Sequence, residues 1–287
     1  MTATTQAHPR ADLAHARLSG ARIIRSEWVK LVTLRSTWWC LGILAALTAG
    51  IPVLVAFALG EPWDAMSSSG AYGLYTWMNA VTVPIGFSVL AAAVLGCLVI
   101  TGEYGTGMIR STMTAVPGRL SALLAKTLVI GLTVFVVGAI AIAVAATLSG
   151  LILSGNGYEL DIADPQLWWL LLAAAGYPAL IAAFSVGVGT MLRNSAGSIA
   201  TVLGLLLVVP TIIQLAGVLL QADWVFDVGN FLPSSLGTVM YTPTMDGDFM
   251  MMQGTIALEQ WQATLAMLAW VVAALVGGAL VVKRRDV

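Results

Sequence analysis

Six apolar runs, at 38–59, 78–100, 127–153, 167–192, 197–220 and 262–282, constrain this chain more than any other feature. A bilayer's hydrocarbon core is about 30 Å thick and takes about 20 helical residues to cross, so each run is long enough, some with tilt. Each is expected to be a helix, because an open strand in lipid leaves its backbone groups unpaired. A soluble alternative lacks its polar shell: 9% of residues are charged and 59% hydrophobic, with a mean hydropathy of +0.92, against roughly a quarter charged in ordinary soluble domains. The sequence therefore reads as an all-α integral membrane protein with six spans.

The charges fix an orientation. Lys and Arg total 13. Arg10, Arg17, Arg22, Arg25, Lys30 and Arg35 precede span 1; Arg110, Arg119 and Lys126 lie between spans 2 and 3; Arg193 lies between spans 4 and 5; Lys283, Arg284 and Arg285 close the chain. With six spans all of these fall on one side. The opposite connections carry Glu61, Asp64, Glu159, Asp161, Asp164, Asp223, Asp227, Asp246, Asp248 and Glu259, and no cation. Basic flanks stay in the cytoplasm, so both termini are expected there. Trp38 and Trp39 at one end of span 1, and Trp168 and Trp169 at the opposite end of span 4, suit amphipathic rings at the two interfaces. No small-residue cleavage site follows span 1, so it reads as retained.

Residues 1–20 read as a disordered tail and 21–37 as an amphipathic juxtamembrane helix; 38–282 is the spanning domain, and 283–287 a basic tail. In the juxtamembrane stretch Ile24, Trp28, Leu31 and Val32 form an apolar stripe, with Arg22, Arg25 and Lys30 largely off it. Such a helix suits a leaflet surface, where cations meet anionic headgroups; a plain topogenic basic flank is the simpler alternative.

Between spans 2 and 3 lies TGEYGTGMIRSTMTAVPGRLSALLAK, residues 101–126. Gly102, Gly105 and Gly107 permit a tight turn, and Pro117-Gly118 breaks the chain before span 3. Met108, Ile109, Met113 and Val116 are apolar beyond what a solvated loop needs. A short partly apolar helix flanked by charge suits a docking knob for a partner protein, and a solvated connector remains the alternative.

These residues resemble the permease subunits of type-2 ABC exporters. That family's loop carries E-Y-x-T-G-T-x-R followed by a Pro, an Arg and a Lys, matched here by Glu103, Tyr104, Thr106, Gly107, Arg110, Pro117, Arg119 and Lys126. Met108 stands where the family usually has Thr, and Gly105 where Arg is common. The segment from Ser26 to Trp39, with Glu27, Trp28, Lys30 and Arg35, is similar to the juxtamembrane helix of actinobacterial members. Several implications follow from the resemblance: a bacterial cytoplasmic-membrane permease, working as a homodimer or with a second permease, beside a separate ATPase subunit. It implies that 101–126 is the coupling loop seated on that subunit, and that short re-entrant helices precede the last span. ATP and magnesium would be held by the partner, with no cofactor in this chain and no nucleic-acid partner. The absence of G-x-x-x-x-G-K-[ST] from the sequence agrees with that division of labour.

Other functions are less well served. No Asp, Glu, Lys, Arg or His lies deep in a span, whereas ion-coupled carriers need such groups. Both histidines, His8 and His15, lie in the N-terminal tail, and H-E-x-x-H is absent, which argues against intramembrane hydrolysis. Cys40 and Cys97 sit in apolar runs without a partner motif. Asn79, Thr82, Ser88, Ser185, Ser198, Thr201, Thr211 and Gln214 read as helix-to-helix hydrogen-bonding groups, and Gly131, Gly138, Gly187 and Gly189 as close-packing points. Pro52, Pro84, Pro178 and Pro210 mark expected kinks, and Asp246-Gly247-Asp248 a turn with too few ligands for calcium. A membrane scaffold or sensor with no transport cycle of its own is the second reading.

Overall fold

A computed structural model describes residues 19–62, 70–115, 118–160, 162–163, 165–243 and 256–284. The tail 1–18, Pro117, Asp246-Gly247-Asp248 and the last three residues lie outside the described residues, as do the side chains of Arg110, Met113 and Arg119. The described residues are helical, with no strand among them.

The elements are α1 (Gly20–Thr33), α2 (Arg35–Leu59), α3 (Gly70–Thr82), α4 (Ile85–Gly105), α5 (Met108–Ala115) and α6 (Arg119–Gly155), followed by α7 (Pro165–Leu192) and α8 (Ser195–Leu203). A π-turn, Gly204–Val208, leads to α9 (Val209–Leu220), then α10 (Asp223–Asn230), α11 (Pro233–Tyr241) and α12 (Gln260–Arg284). Six stretches are long and apolar enough to cross a membrane: Arg35–Leu59, Tyr72–Gly105, Leu120–Gly155, Pro165–Leu192, Ser195–Leu220 and Gln260–Lys283. The chain is a multi-pass membrane protein. Each span contains its apolar run and extends beyond it, because helix continues into the flanking polar residues where hydropathy falls.

The prolines act in different ways. Pro84 has no N–H and interrupts the second span, separating α3 from α4. Pro52 and Pro178 lie inside the continuous helices α2 and α7. Pro210 follows the π-turn, in which Val209 N–H reaches back to the Gly204 carbonyl; that wider turn relieves the crowding of the proline ring on the carbonyl four residues before it.

The core is built on α7. Its buried residues run almost without gap from Ala173 to Thr190, and it packs against α4, α6 and α12. Small residues bring these helices close. A Cβ on Gly187 would lie 2.6 Å from the Ala274 backbone carbon of α12, so only glycine fits that crossing. Gly138 is looser: its Cβ would sit 3.8 Å from the Ala175 carbonyl oxygen, an ordinary contact. Aromatic anchors finish the core, with Trp77 Nε1 donating to the Ala146 carbonyl at 3.1 Å and to Ser149 Oγ at 3.0 Å. Trp38, Trp39, Trp168 and Trp169 are all exposed.

The intramembrane hydroxyls correct one expectation. Thr82, Ser88, Ser185, Ser198, Thr201 and Thr211 donate to carbonyls three or four residues earlier in their own helices or at the helix start, and Asn79 donates to Tyr75. A hydroxyl in a helix has that acceptor within reach whatever its neighbours are, so it is satisfied locally. The connection before the last span holds α10 and α11. Asp227 Oδ1 accepts from Ile256 N–H at 2.9 Å, and Trp270 Nε1 donates to the Phe231 carbonyl at 3.0 Å. The first bond holds α10 to the segment leading into α12, and the second ties the connection to α12 itself.

Gly187→Ala is expected to destabilise the purified protein by about 1–3 kcal/mol through overpacking. Gly138→Ala, which has room and gains helix propensity, should be neutral or stabilising by up to about 1 kcal/mol. Thermal unfolding of the two variants side by side checks the assignment; equal effects would contradict the packing described.

Candidate functional site

The end of the bundle where the cations gather has a feature that hydropathy does not reveal. Glu27 of α1, Glu103 of α4 and Lys126 of α6 are 3%, 4% and 4% exposed. Lys126 Nζ donates to Glu27 Oε2 and, at 2.8 Å, to Glu103 Oε1. Lys30 Nζ donates to Glu27 Oε1 at 2.6 Å and to Glu103 Oε1 at 3.1 Å. Two carboxylates and two ammonium groups thus form a quartet with two charges of each sign, joining three helices that are far apart in sequence.

Local geometry explains how each member arrives. Ser19 caps α1 by accepting from Arg22 N–H. Within α1, Glu27, Lys30 and Leu31 share the face that meets the bundle, since positions three and four apart are neighbours on a helix. The apolar stripe is split: Leu31 is buried against the bundle, while Ile24, Trp28 and Val32 are 39%, 49% and 38% exposed. The helix therefore buries Glu27 and Leu31 against the protein and leaves Ile24, Trp28 and Val32 exposed along with Arg22 and Arg25. It ends one turn earlier than hydropathy suggests, at Leu34, whose extended backbone separates α1 from α2. Arg35 accordingly opens α2 and is exposed. Trp38 Nε1 donates to the Val32 carbonyl at 2.9 Å and braces that corner.

Burial and charge oppose one another at Lys30. Desolvation alone would lower its pKa; the hydrogen bond that Lys30 donates to Glu27 and the two carboxylate charges outweigh it and hold the pKa above the ordinary lysine value. The stabilisation from Lys30 is thus fully present below the unfolded lysine pKa, and is lost only as pH rises through the higher folded value.

The expected coupling residues divide into two sets. Glu103 and Lys126 turn inward and belong to the quartet. Thr106 and Gly107 are exposed, and Gly107 has φ +72°, the left-handed conformation that lets α4 stop and α5 start. Tyr104 is half-buried beneath the Arg193 guanidinium, 5.3 Å from its ring centroid. Arg193 also donates to the Val281 carbonyl of α12 at 3.4 Å. Alongside, Ser195 Oγ donates to Thr101 Oγ1 at 2.8 Å, tying the start of α8 to α4. The short helix expected after the Gly-Thr-Gly is present as α5, with Ile109 buried and Met108 exposed. Trp28 is exposed and takes no part in the quartet.

The roles of Glu27 and Arg193 escape sequence reasoning. A signal exists for Glu27: it shares the cation-rich side with few other carboxylates, and an acid in that setting, beside a span, needs a close partner. Which partner depends on tertiary packing.

No protein-family model matches this chain, and no curated protein matches it. The geometry of the site therefore stands on its own.

Lys126→Met would leave two buried carboxylates with Lys30 alone between them. Breaking a buried ion network by removing one partner costs about 3–5 kcal/mol. The variant should unfold correspondingly earlier in a detergent melt, and Glu103→Gln on top of Lys126→Met should recover part of the loss. A melt unchanged by Lys126→Met would contradict the network.

Proposed function

We propose that this chain is the membrane-spanning permease subunit of an ATP-driven exporter of the ABC-2 type, in a bacterial cytoplasmic membrane with both termini inside. The observation that carries the reading is the loop 101–126: it holds a short, partly exposed helix, α5, at the cation-rich end, in the span order and motif frame of that family. A separate nucleotide-binding subunit supplies the ATP and magnesium chemistry and seats on the exposed part of this loop, around Thr106, Gly107 and α5, with Arg110 and Arg119 as charged contacts. Glu103 and Lys126 act behind that surface, linking α5's neighbours to α1. Motion of the ATPase subunit at α5 would thus be passed to α1, α4 and α6 as one body, since the buried quartet resists being pulled apart.

Two copies of the chain, or this chain and a similar permease, form the pathway. With no charged group deep in a span, the cargo is hydrophobic or amphipathic. The short helices α10 and α11 fill the role of re-entrant helices on the external side, irregular backbone being tolerated there where it is packed on protein.

Pull-down of the tagged chain from its native membranes in mild detergent should recover a stoichiometric ATPase subunit carrying a phosphate-binding Walker A sequence. Arg119→Glu should insert normally yet lose that subunit or its substrate-stimulated ATP turnover. Recovery of the chain alone in several detergents would overturn the proposal and favour a membrane scaffold.

A further inference from the structure

The end of the bundle away from the quartet holds a recess of different chemistry. Arg193, which follows α7, meets Tyr104 of α4 and the Val281 carbonyl of α12. Helices α7 and α12 therefore finish beside the quartet and begin at the opposite end. There a partly open cleft of about 400 Å³ lies among α7, α11 and α12, lined by Trp169, Val239, Leu258, Glu259, Gln260 and Trp261. That volume falls in the range of small-ligand sites.

The rim is held in place by its own hydrogen bonds. The Glu259 carbonyl accepts from Ala263 N–H at 2.9 Å, and its N–H donates to Gln262 Oε1 at 2.9 Å. Trp261 Nε1 donates to Glu259 Oε2, and Gln260 Nε2 donates to the Thr242 carbonyl beyond α11 at 3.4 Å. Trp169 and Trp261 are 44% and 56% exposed, and neither pairs with another aromatic ring among the described residues. Glu259 is exposed, and its Oε1 accepts no hydrogen bond among the described residues. Anchoring at a membrane interface explains either indole alone. Two indoles and a carboxylate lining one cleft have the composition of a cation site.

Charge at this end is of one sign. The stretches 60–69, 156–164 and 221–259 contain Asp and Glu and no Lys or Arg, and such a face raises the local concentration of cations. The lining selects among them. A primary ammonium is a compact, strongly hydrated charge, and it loses water in an aromatic cleft with a single carboxylate to replace it. A methylated ammonium carries its charge on methyl groups that need no acceptor and pack on indole faces.

We propose that this cleft binds the methylated ammonium head of an amphipath, its charge set against Trp169, Trp261 and the Glu259 carboxylate. The site stands on the cleft and does not depend on the exporter reading. The same chemistry comes from a bilayer lipid with a phosphocholine head or from a small soluble methylated amine. The cleft opens at the start of two spans, at the depth where exposed tryptophans meet headgroups, which favours the lipid as the source.

The test uses the full chain in maltoside detergent. Native mass spectrometry titrates dioctanoyl phosphatidylcholine against its phosphatidylethanolamine counterpart, and equilibrium dialysis titrates choline against ethanolamine. Within each pair the net charge is the same and the methyl groups differ. Wild type should prefer phosphatidylcholine by about fivefold or more, the worth of two exposed cation–π contacts. Trp169→Leu and Trp261→Leu should each cut that preference to about twofold or less, and Trp169→Phe should keep part of it. Glu259→Gln should weaken phosphatidylcholine binding about threefold, as for an exposed ion pair. Trp39→Leu, at an exposed indole on the other end of the bundle, should leave the preference unchanged. Choline preferred to ethanolamine while the two lipids bind equally supports the site and assigns it to a soluble amine. Several results overturn the proposal: no preference in either pair, a preference that survives both Trp→Leu changes or falls equally in Trp39→Leu, or phosphatidylcholine binding untouched by Glu259→Gln.

Discussion

A buried charge is tolerated only where it is paired, and the pairing of Glu27, Lys30, Glu103 and Lys126 decides how one end of this protein is put together. Each of these groups would on its own be a strongly destabilising resident of an otherwise apolar bundle. Together they cancel, and in a medium of low dielectric their mutual attraction is less screened than it would be in water. The arrangement forces α1, α4 and α6 into a fixed register, because a slip of one turn in any of them would strand a charge. Such networks are weak evidence of added stability and stronger evidence of a specified geometry. The quartet also explains the orientation of α1, whose Ile24, Trp28 and Val32 are left facing outward because the opposite face is committed to Glu27, Lys30 and Leu31.

The remainder of the bundle is held by a different means. Lipid is as apolar as leucine, so burial of hydrocarbon does little to drive one span against another. What distinguishes α7 is the density of Ala, Gly and Ser along it, which lets α4, α6 and α12 approach closely enough for backbone contact. The middle of the protein is thus fixed by shape and the basic end by charge. Between the two lies the seam of Arg193 over Tyr104 and of Ser195 on Thr101, which connects the connection before α8 to the end of α4. The functional reading depends on this division: a docking element at α5 can transmit force only if its neighbours move as a unit.

Much of the fold was legible because lipid imposes a coarse rule on sequence. Run length alone identifies the spans, and Gly107 and Pro84 behave as their backbone chemistry dictates. The details that were not legible share one cause: they depend on which side chains meet. The break at Leu34 is invisible to hydropathy, since Leu34 is itself apolar. The hydroxyls of Ser185 and Thr201 have the same composition whether they bond a neighbouring helix or their own carbonyls. In the candidate site, Glu103 and Lys126 stood out as charges beside spans, and the family resemblance turned Glu103 toward either the ATPase subunit or the juxtamembrane helix without fixing its partner. Only the packing of α1 onto α4 and α6 turns them inward.

Amide hydrogen exchange along α1 tests the central claim that the quartet docks this helix. In the wild-type protein the amides of 24–33 should be protected to a degree comparable with the start of α6, since local opening of α1 requires breaking the network. Glu27→Gln should then speed exchange in α1 by about tenfold or more, consistent with the loss of a charged hydrogen bond, and leave α7 unchanged. Rapid exchange of α1 in the wild type, or protection indifferent to Glu27→Gln, would mean that α1 rests on the bundle without being held by it and would contradict the account.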